Sequence, residues 1–122
     1  MRVRTVFERV RTLAAGHAAV LASVSLRHCA ECDEEHRRSN RQYAHYGHHR
    51  ETVCYAGAME ALEDCWKVGI IAHEFGHAFA DAHGLEHTEA DANRFGAVLI
   101  GSAVSFKGPK RLEWADPEVL RS

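Results

Sequence analysis

The sequence predicts an α+β fold. One domain, residues 1–122, should contain an N-terminal helix, a small and mostly antiparallel sheet of about three strands, and two consecutive helices. Apolar residues recur at helical spacing near the N-terminus and again through residues 66–100, and short alternating stretches lie between them. At 122 residues the chain is long enough to bury one modest core, and it contains no internal repeat.

The first third of the chain predicts a helix followed by a strand. A helix over residues 2–15 has one apolar side, and Gly16 is suited to end it. That side is formed by Val3, Val6, Phe7, Val10 and Leu13. The alternating residues 20–26 predict a strand. Residues 28–41 are rich in charge, cysteine and histidine, and they predict a polar loop.

Two further strands are expected in the middle of the chain. Residues 42–46 and 51–55 have strand character, and Gly47 between them permits a turn. Whichever of the two lies at the edge of the sheet can pair with an extended peptide.

The second half predicts a strongly apolar helix. Helix should begin over residues 58–65, become apolar throughout from about Trp66 and run to Ala82, with Gly84 closing it. A surface helix is rarely apolar on all sides, so this helix is expected to be buried.

A second helix should follow at once. Thr88 and Asp91 have the spacing of a capping box, which predicts a helix from residue 89 to about 100. Its apolar positions keep a helical period through Ala92, Phe95, Val98, Leu99 and Ala103. Residues 107–122 then form a C-terminal tail that ends in a short helical turn.

The apolar helix contains His73-Glu74-x-x-His77, a spacing that suits a metal ion. Residues four apart on a helix lie almost one above the other, so both imidazoles can bind one ion. Glu74 is rotated by about 100° from His73 and can reach a water molecule rather than the ion. Buried histidines and a buried glutamate need partners, which a metal and its water supply.

A third ligand must come from downstream, and two residues compete for the role. His83 lies six residues beyond His77, where a continuing helix turns it about 240° away from the metal face. Glu89 is expected in the first turn of the next helix, with Asn93 one turn further on the same side. We expect Glu89 to be the ligand and Asn93 to orient a bound imidazole, with His83 as the alternative ligand.

His73-Glu74-Phe75-Gly76-His77 followed by Glu89-x-x-Ala92-Asn93-x-Phe95 resembles the gluzincin class of zinc metallopeptidases. Within that class the pattern is most similar to the ImmA/IrrE-type enzymes, whose second helix reads Glu-x-Glu-Ala-Asn-x-Phe-Ala. Asp91 and Gly96 depart mildly from that pattern. The chain's length is similar to that of the minigluzincins. The resemblance covers residues 66–100 and implies a minimal zincin-like domain.

The function that follows is that of a zinc-dependent endopeptidase. One catalytic zinc ion would be held by His73, His77 and Glu89, and Glu74 would act as the general base on water. The substrate would be a peptide or protein. Donors to the developing oxyanion are expected among polar residues in or beside the strands, namely Tyr43, His45, Tyr46, His48 and His49.

Three alternatives remain open. The domain can be a non-catalytic binding module that uses zinc as a clamp. It can be a small metal-dependent hydrolase or nuclease with a three-histidine set that includes His83. It can also be a latent enzyme, because terminal segments can inhibit minigluzincins. The resemblance implies that role for residues 107–122, with Glu113 or Asp116 offering a carboxylate to the metal and Trp114 an aromatic anchor.

Four cysteines allow several states. Cys29-x-x-Cys32 can belong to a second, structural zinc site, with either His36 or the pair Cys54 and Cys65 as its partners. Disulfides can instead join Cys29 to Cys32 or Cys54 to Cys65. Free thiols are expected in a cytoplasmic chain without bound metal.

The composition of the chain does not indicate a nucleic-acid or membrane partner. Lys and Arg total 15 against 17 Asp and Glu, a net charge of −2, so we expect no nucleic-acid partner. Neither a signal peptide nor a membrane-spanning run of about 20 apolar residues is evident, so we expect a cytoplasmic protein. The oligomeric state is not predicted.

Overall fold

The computed structural model describes residues 1–39, 42–107 and 112–121, together with the side chains of most of them. Their helices are α1 Val3–His17, α2 Ala30–Ser39, α3 Asp64–Ala82 and α4 Glu89–Ile100. Their strands are β1 Ser25–His28, β2 Ala44–His49, β3 Thr52–Tyr55, β4 Ser105–Lys107 and β5 Leu112–Trp114. Short 3-10 turns lie at Ala19–Ser23, Gly57–Ala61 and Pro117–Arg121. The predicted α+β class is confirmed.

The sheet differs from the prediction. Strand order is β1-β3-β2, with β1 parallel and β2 antiparallel to the central β3, so this sheet is mixed rather than mostly antiparallel. Its first strand begins at Ser25 instead of residue 20, because Ala19–Ser23 form a 3-10 turn. The tail contributes a second, two-stranded antiparallel sheet, β4-β5, which the sequence analysis had not predicted.

Residues 30–39 form a helix where a polar loop was expected. Helix α2 has acidic residues in its first turn and basic residues in its last, which complements the helix dipole. Its ten residues bury only Cys32, so the sequence carries no apolar stripe that would reveal a helix.

The main core lies between α1, α3 and one face of the sheet. Val3, Val6 and Val10 of α1 are fully buried, and Phe7 meets Phe75 of α3 with ring centroids 5.4 Å apart. Val53 of the central strand belongs to the same core. Helix α3 is buried along most of its length, as its apolar sequence predicts. It is therefore a rigid support for the residues that it carries.

Helices α3 and α4 approach so closely that their backbones touch. A Cβ atom added at Gly76 of α3 would lie 1.9 Å from the carbonyl oxygen of Ala92. The contact is reciprocal, because a Cβ atom at Gly96 of α4 would lie 2.4 Å from the carbonyl oxygen of Ala72. Gly76 lies within one turn of His73 and His77, and Gly96 within one turn of Asn93, so this packing sets the distance between the helix faces that carry these residues.

Among the helices that the structure describes, none has the length and apolar character that crossing a membrane requires.

Candidate metal centre

Helix α3 and the first turn of α4 bring His73, His77 and Glu89 together. The Nε2 atoms of His73 and His77 are 3.0 Å apart. Oε1 of Glu89 lies 3.3 Å from Nε2 of His73, and Oε2 lies 2.9 Å from Nε2 of His77. Tetrahedral zinc with bonds of about 2.0–2.1 Å separates its ligand atoms by roughly 3.3 Å, close to these spacings.

A capping box holds Glu89 in position. The Thr88 hydroxyl accepts a hydrogen bond from the Asp91 backbone N–H at 3.1 Å, and the Thr88 N–H donates to Asp91 Oδ2 at 2.9 Å. The helix therefore begins at Glu89, as the sequence predicts, and its first side chain points toward α3.

The hydrogen bonds that the Nδ1 atoms of His73 and His77 make determine which ring nitrogens carry protons. Nδ1–H of His73 donates to Oδ1 of Asn93 at 2.5 Å, because that oxygen can only accept. His87 donates its Nδ1–H to the Leu85 carbonyl at 3.1 Å, so its Nε2 accepts from Nδ1–H of His77 at 2.7 Å. Both metal-facing Nε2 atoms are then left with lone pairs.

Three electron-rich groups consequently face each other with no proton between them. Burial, and then the neighbouring His73, lower the pKa of His77 to about 4, although Glu89 acts in the opposite direction. His77 is therefore a neutral imidazole at pH 7. Two lone pairs and a carboxylate at these distances repel unless a cation lies among them, so the donor set fits a zinc ion.

Glu74 lies beside this group without belonging to it. It is 6% exposed and lines a cavity of about 20 Å³ together with His73 and Glu89, which is enough for about one water molecule. It also lines a larger cleft of about 250 Å³, next to His77, Glu89 and His45. Its carboxylate therefore lies between the three candidate ligands and the larger cleft.

His83 is separated from the centre. It follows the last residue of α3, is exposed, and its Nδ1–H donates to the Phe79 carbonyl at 2.9 Å. Its ring also packs on Phe79, with centroids 4.3 Å apart. Because α3 remains helical through Ala82, the chain turns His83 away, and the alternative three-histidine set is not assembled.

Two residues around the site were not predicted in their observed places. His87 orients His77, and Glu113 of β5 places Oε1 3.5 Å from Nδ1 of His73 while only 2% exposed. The resemblance to the minigluzincins implies that Glu113 or Asp116 could offer a carboxylate to the metal itself. Glu113 instead lies on the Nδ1 side of His73, opposite the metal-facing nitrogen, and Asp116 is exposed and accepts from the Glu118 N–H.

The tail is part of the structure around this centre. A Cβ atom at Gly69 of α3 would lie 2.4 Å from Trp114, so β5 packs directly on the helix that carries the histidines. Ala115 is fully buried, and its N–H donates to the Cys65 carbonyl at 2.8 Å.

All four cysteines are free thiols, so neither of the considered disulfides is formed. Cys29, Cys32 and Cys54 share a small buried cluster with Ala56, on the opposite side of the sheet from the main core. Burial raises the pKa of both Cys32 and Cys54 to about 12. Cys65 lies outside this cluster, in the first turn of α3.

Of the residues suggested as oxyanion donors, Tyr43 lines the small cavity, and His45 and Tyr46 line the larger cleft. His49 lies near Cys29 and Cys54 instead. The side chain of His48 lies outside the described part of the structure.

Comparisons of the chain with models of known protein families, with curated proteins and with solved structures found no match.

Proposed function

We propose that the protein is a zinc-dependent endopeptidase with a zincin-like domain. The observation that carries the proposal is the convergence of two deprotonated imidazole nitrogens and one carboxylate, with a second glutamate beside them at the entrance of a cleft. The pattern of residues 66–100, which resembles that of gluzincins, supports the same assignment. A purely structural site has no use for the Glu74 carboxylate.

His73, His77 and Glu89 would hold the ion. A zinc ion bound there would supply a Lewis acid that increases the acidity of water and polarises a carbonyl oxygen. Catalytic zinc sites usually have three protein ligands, which is the number that this group would supply. Asn93 and His87 keep the two rings oriented by accepting from their Nδ1–H groups.

Glu74 would act as general base and then as general acid. Its carboxylate accepts a proton from water as the water oxygen attacks the carbonyl carbon of the scissile bond. When the carbon–nitrogen bond breaks, the same carboxyl group returns the proton to the leaving amine. Its burial, with 6% of the residue exposed, limits the contact of this carboxylate with bulk water.

The position of strand β2 supports the proposal that the substrate is a peptide. It lies at the edge of the three-stranded sheet, and Ala44, His45 and Tyr46 line the cleft. The backbone of an edge strand has unpaired N–H and C=O groups that can hydrogen-bond an extended peptide. A peptide bound along β2 would therefore pass beside Glu74 and Glu89. His45 and Tyr46 both line this cleft, so they are the candidate donors to a carbonyl oxygen there.

The test is the Glu74→Gln variant. We expect it to bind zinc as the unaltered protein does and to lose about 10²–10⁴-fold in peptide hydrolysis, because the amide cannot accept the proton. Zinc content and the digestion of a peptide library measure the two quantities. Glu86→Gln is the matched control, because Glu86 is an exposed residue of the loop before α4.

Two outcomes would reject the proposal. Hydrolysis that persists in Glu74→Gln would show that this residue is not the base. If the zinc-loaded wild type cleaves no member of the library, and a biological activity of the protein survives Glu74→Gln, the domain is a binding module.

A further inference from the structure

A second group of metal-binding side chains lies on the other face of the sheet. Cys29 directly follows β1, Cys54 belongs to the central strand β3, and His49 ends the edge strand β2. One ligand atom from each of these three residues lies within 4.8 Å of the other two. None of the three contributes to the centre formed by His73, His77 and Glu89.

The strand register explains why these residues meet. His49 is paired with Thr52, two residues before Cys54, so both strands present these side chains on one face. A bulge between Tyr46 and His49 produces this register, and Gly47 within it has φ +107°. A bulge of this kind redirects a side chain, here the imidazole of His49.

The His49 ring has an unsatisfied nitrogen. Its Nε2 is buried and has no hydrogen-bond partner among the residues that the structure describes. A buried polar atom without a partner destabilises the fold. One nitrogen of the same ring lies within 4.8 Å of the Cys29 and Cys54 sulfurs. Thiols are weak hydrogen-bonding groups but strong zinc ligands once deprotonated. A metal ion would satisfy this nitrogen.

Cys32 is the candidate for a fourth donor, although it is not among the three residues whose ligand atoms lie within 4.8 Å of one another. It is the one buried residue of α2, and it lies in the same small cluster as Cys29 and Cys54, where Ala56 is the only other member. This cluster offers little apolar surface to hold a ten-residue helix of charged and polar residues against the sheet. Three thiols and one alanine form a poor hydrophobic core. The three thiols, in contrast, are good zinc ligands.

We propose that Cys29, Cys32, Cys54 and His49 bind a second zinc ion in a closed structural site. Three thiolates and one imidazole form one of the usual ligand sets of structural zinc. The ion would join the ends of β1 and β2, the centre of β3 and the first turn of α2. Glu35 of α2 lines the cleft beside Glu74, so the ion would also fix one wall of the proposed peptide-binding cleft.

Zinc content per chain tests the proposal independently of any hydrolysis. The protein is loaded with zinc under reducing conditions and freed of excess metal. It should then carry two zinc ions per chain, a ratio that elemental mass spectrometry measures. The double variant His73→Ala/His77→Ala should keep one ion, and Cys54→Ser should also keep one. Cys65→Ser and His83→Ala are the matched controls, because both residues lie outside the two clusters, and each should keep two.

Cobalt substitution identifies the ligands. Co²⁺ bound to the wild type and to the His73→Ala/His77→Ala variant should show the near-ultraviolet charge-transfer absorption of thiolate ligands. His49→Ala should retain that absorption but change the visible bands, because three thiolates remain. If Cys54→Ser fails to fold, the wild-type cobalt spectrum still decides the question.

Three results would overturn the assignment. They are a wild-type cobalt spectrum without thiolate absorption, a His73→Ala/His77→Ala variant that holds no metal, and a Cys54→Ser variant that still carries two zinc ions. None of these results would contradict the proposed peptidase function, because the zinc ion of that site would have no cysteine ligand. Conversely, a protein that shows thiolate absorption but no hydrolysis would keep this site and reject the peptidase.

Discussion

The contact between Gly76 and Ala92 provides a quantitative test of how the metal centre is built. A Cβ atom at position 76 would lie 1.9 Å from the Ala92 carbonyl oxygen, whereas carbon and oxygen normally approach to about 3.3 Å. Gly76→Ala therefore requires the contact to open by about 1.4 Å. Both sides of the contact are helix backbone, so no side-chain rotation relieves it, and α4 must move relative to α3.

That movement would carry Glu89 and Asn93 away from the histidines. Zinc sites tolerate deviations of only about 0.2 Å in ligand distance, so a shift of 1.4 Å should weaken zinc binding by at least about 10–100-fold. The metal-free protein should also lose about 1–3 kcal/mol of stability, the usual result of overpacking. For a domain of this size, that loss lowers Tm by roughly 5–10 °C.

The assays are thermal unfolding of chelated protein and zinc competition with a chromophoric chelator. Gly16→Ala is the matched control, because nothing lies within 4 Å of a Cβ atom added in that last turn of α1. It should leave zinc binding unchanged and raise stability by up to about 1 kcal/mol. A Gly76→Ala protein with wild-type zinc affinity and Tm would refute the argument that this contact sets the distance between ligands.

Three further predictions follow from the same centre. Asn93→Ala should weaken zinc binding about 10–100-fold, measured by chelator competition, since His73 loses the acceptor that orients it; unchanged affinity would remove Asn93 from the site. In metal-free protein the pKa of His77 is lowered to about 4, so between pH 6.5 and 4 the unfolded chain binds a proton that the folded chain does not. Stability should therefore fall by up to about 3 kcal/mol as the pH drops through that window, measured by urea unfolding, and His77→Gln should flatten the dependence. Deleting residues 107–122 should lower Tm and zinc affinity, because β5 packs on α3 and Glu113 lies beside His73. A deletion that instead releases caseinolytic activity would support the alternative that this tail inhibits the enzyme.

The helices that carry the candidate metal ligands were predictable because their signals are local. The two histidines are four residues apart, and the capping box of Thr88 and Asp91 fixes where α4 begins. Once both helices are assigned, the position of Glu89 follows from helix geometry. The exclusion of His83 follows in the same way, because it depends only on α3 continuing to Ala82.

The remaining features depend on contacts between distant segments. Glu113 is 40 positions from His73 in the chain, and its approach requires Gly69 to accept β5 against α3. Helix α2 was missed because its one buried residue gives no periodic pattern. The strand pairing that brings His49 near Cys54 depends on a bulge, which no local pattern in β2 predicts.

The metal centre also indicates which part of the chain should survive removal of zinc. Facing lone pairs on His73 and His77 oppose folding when no cation is present, so the helix contacts at Gly76 and Gly96 must hold them together without help from the ion. Zinc that binds only the folded chain would add about 4 kcal/mol to the free energy of unfolding at a thousand-fold excess over Kd, a large share of the 5–15 kcal/mol typical of a domain.

Because the α1–α3–α4 core is apolar and tightly packed, chelation of zinc should lower Tm without unfolding this core. Helix α2, which buries only Cys32, has no such core, and hydrogen exchange in chelated protein should therefore be fastest there. Protection of α2 equal to that of α3 after chelation would show that α2 is held by contacts other than a metal.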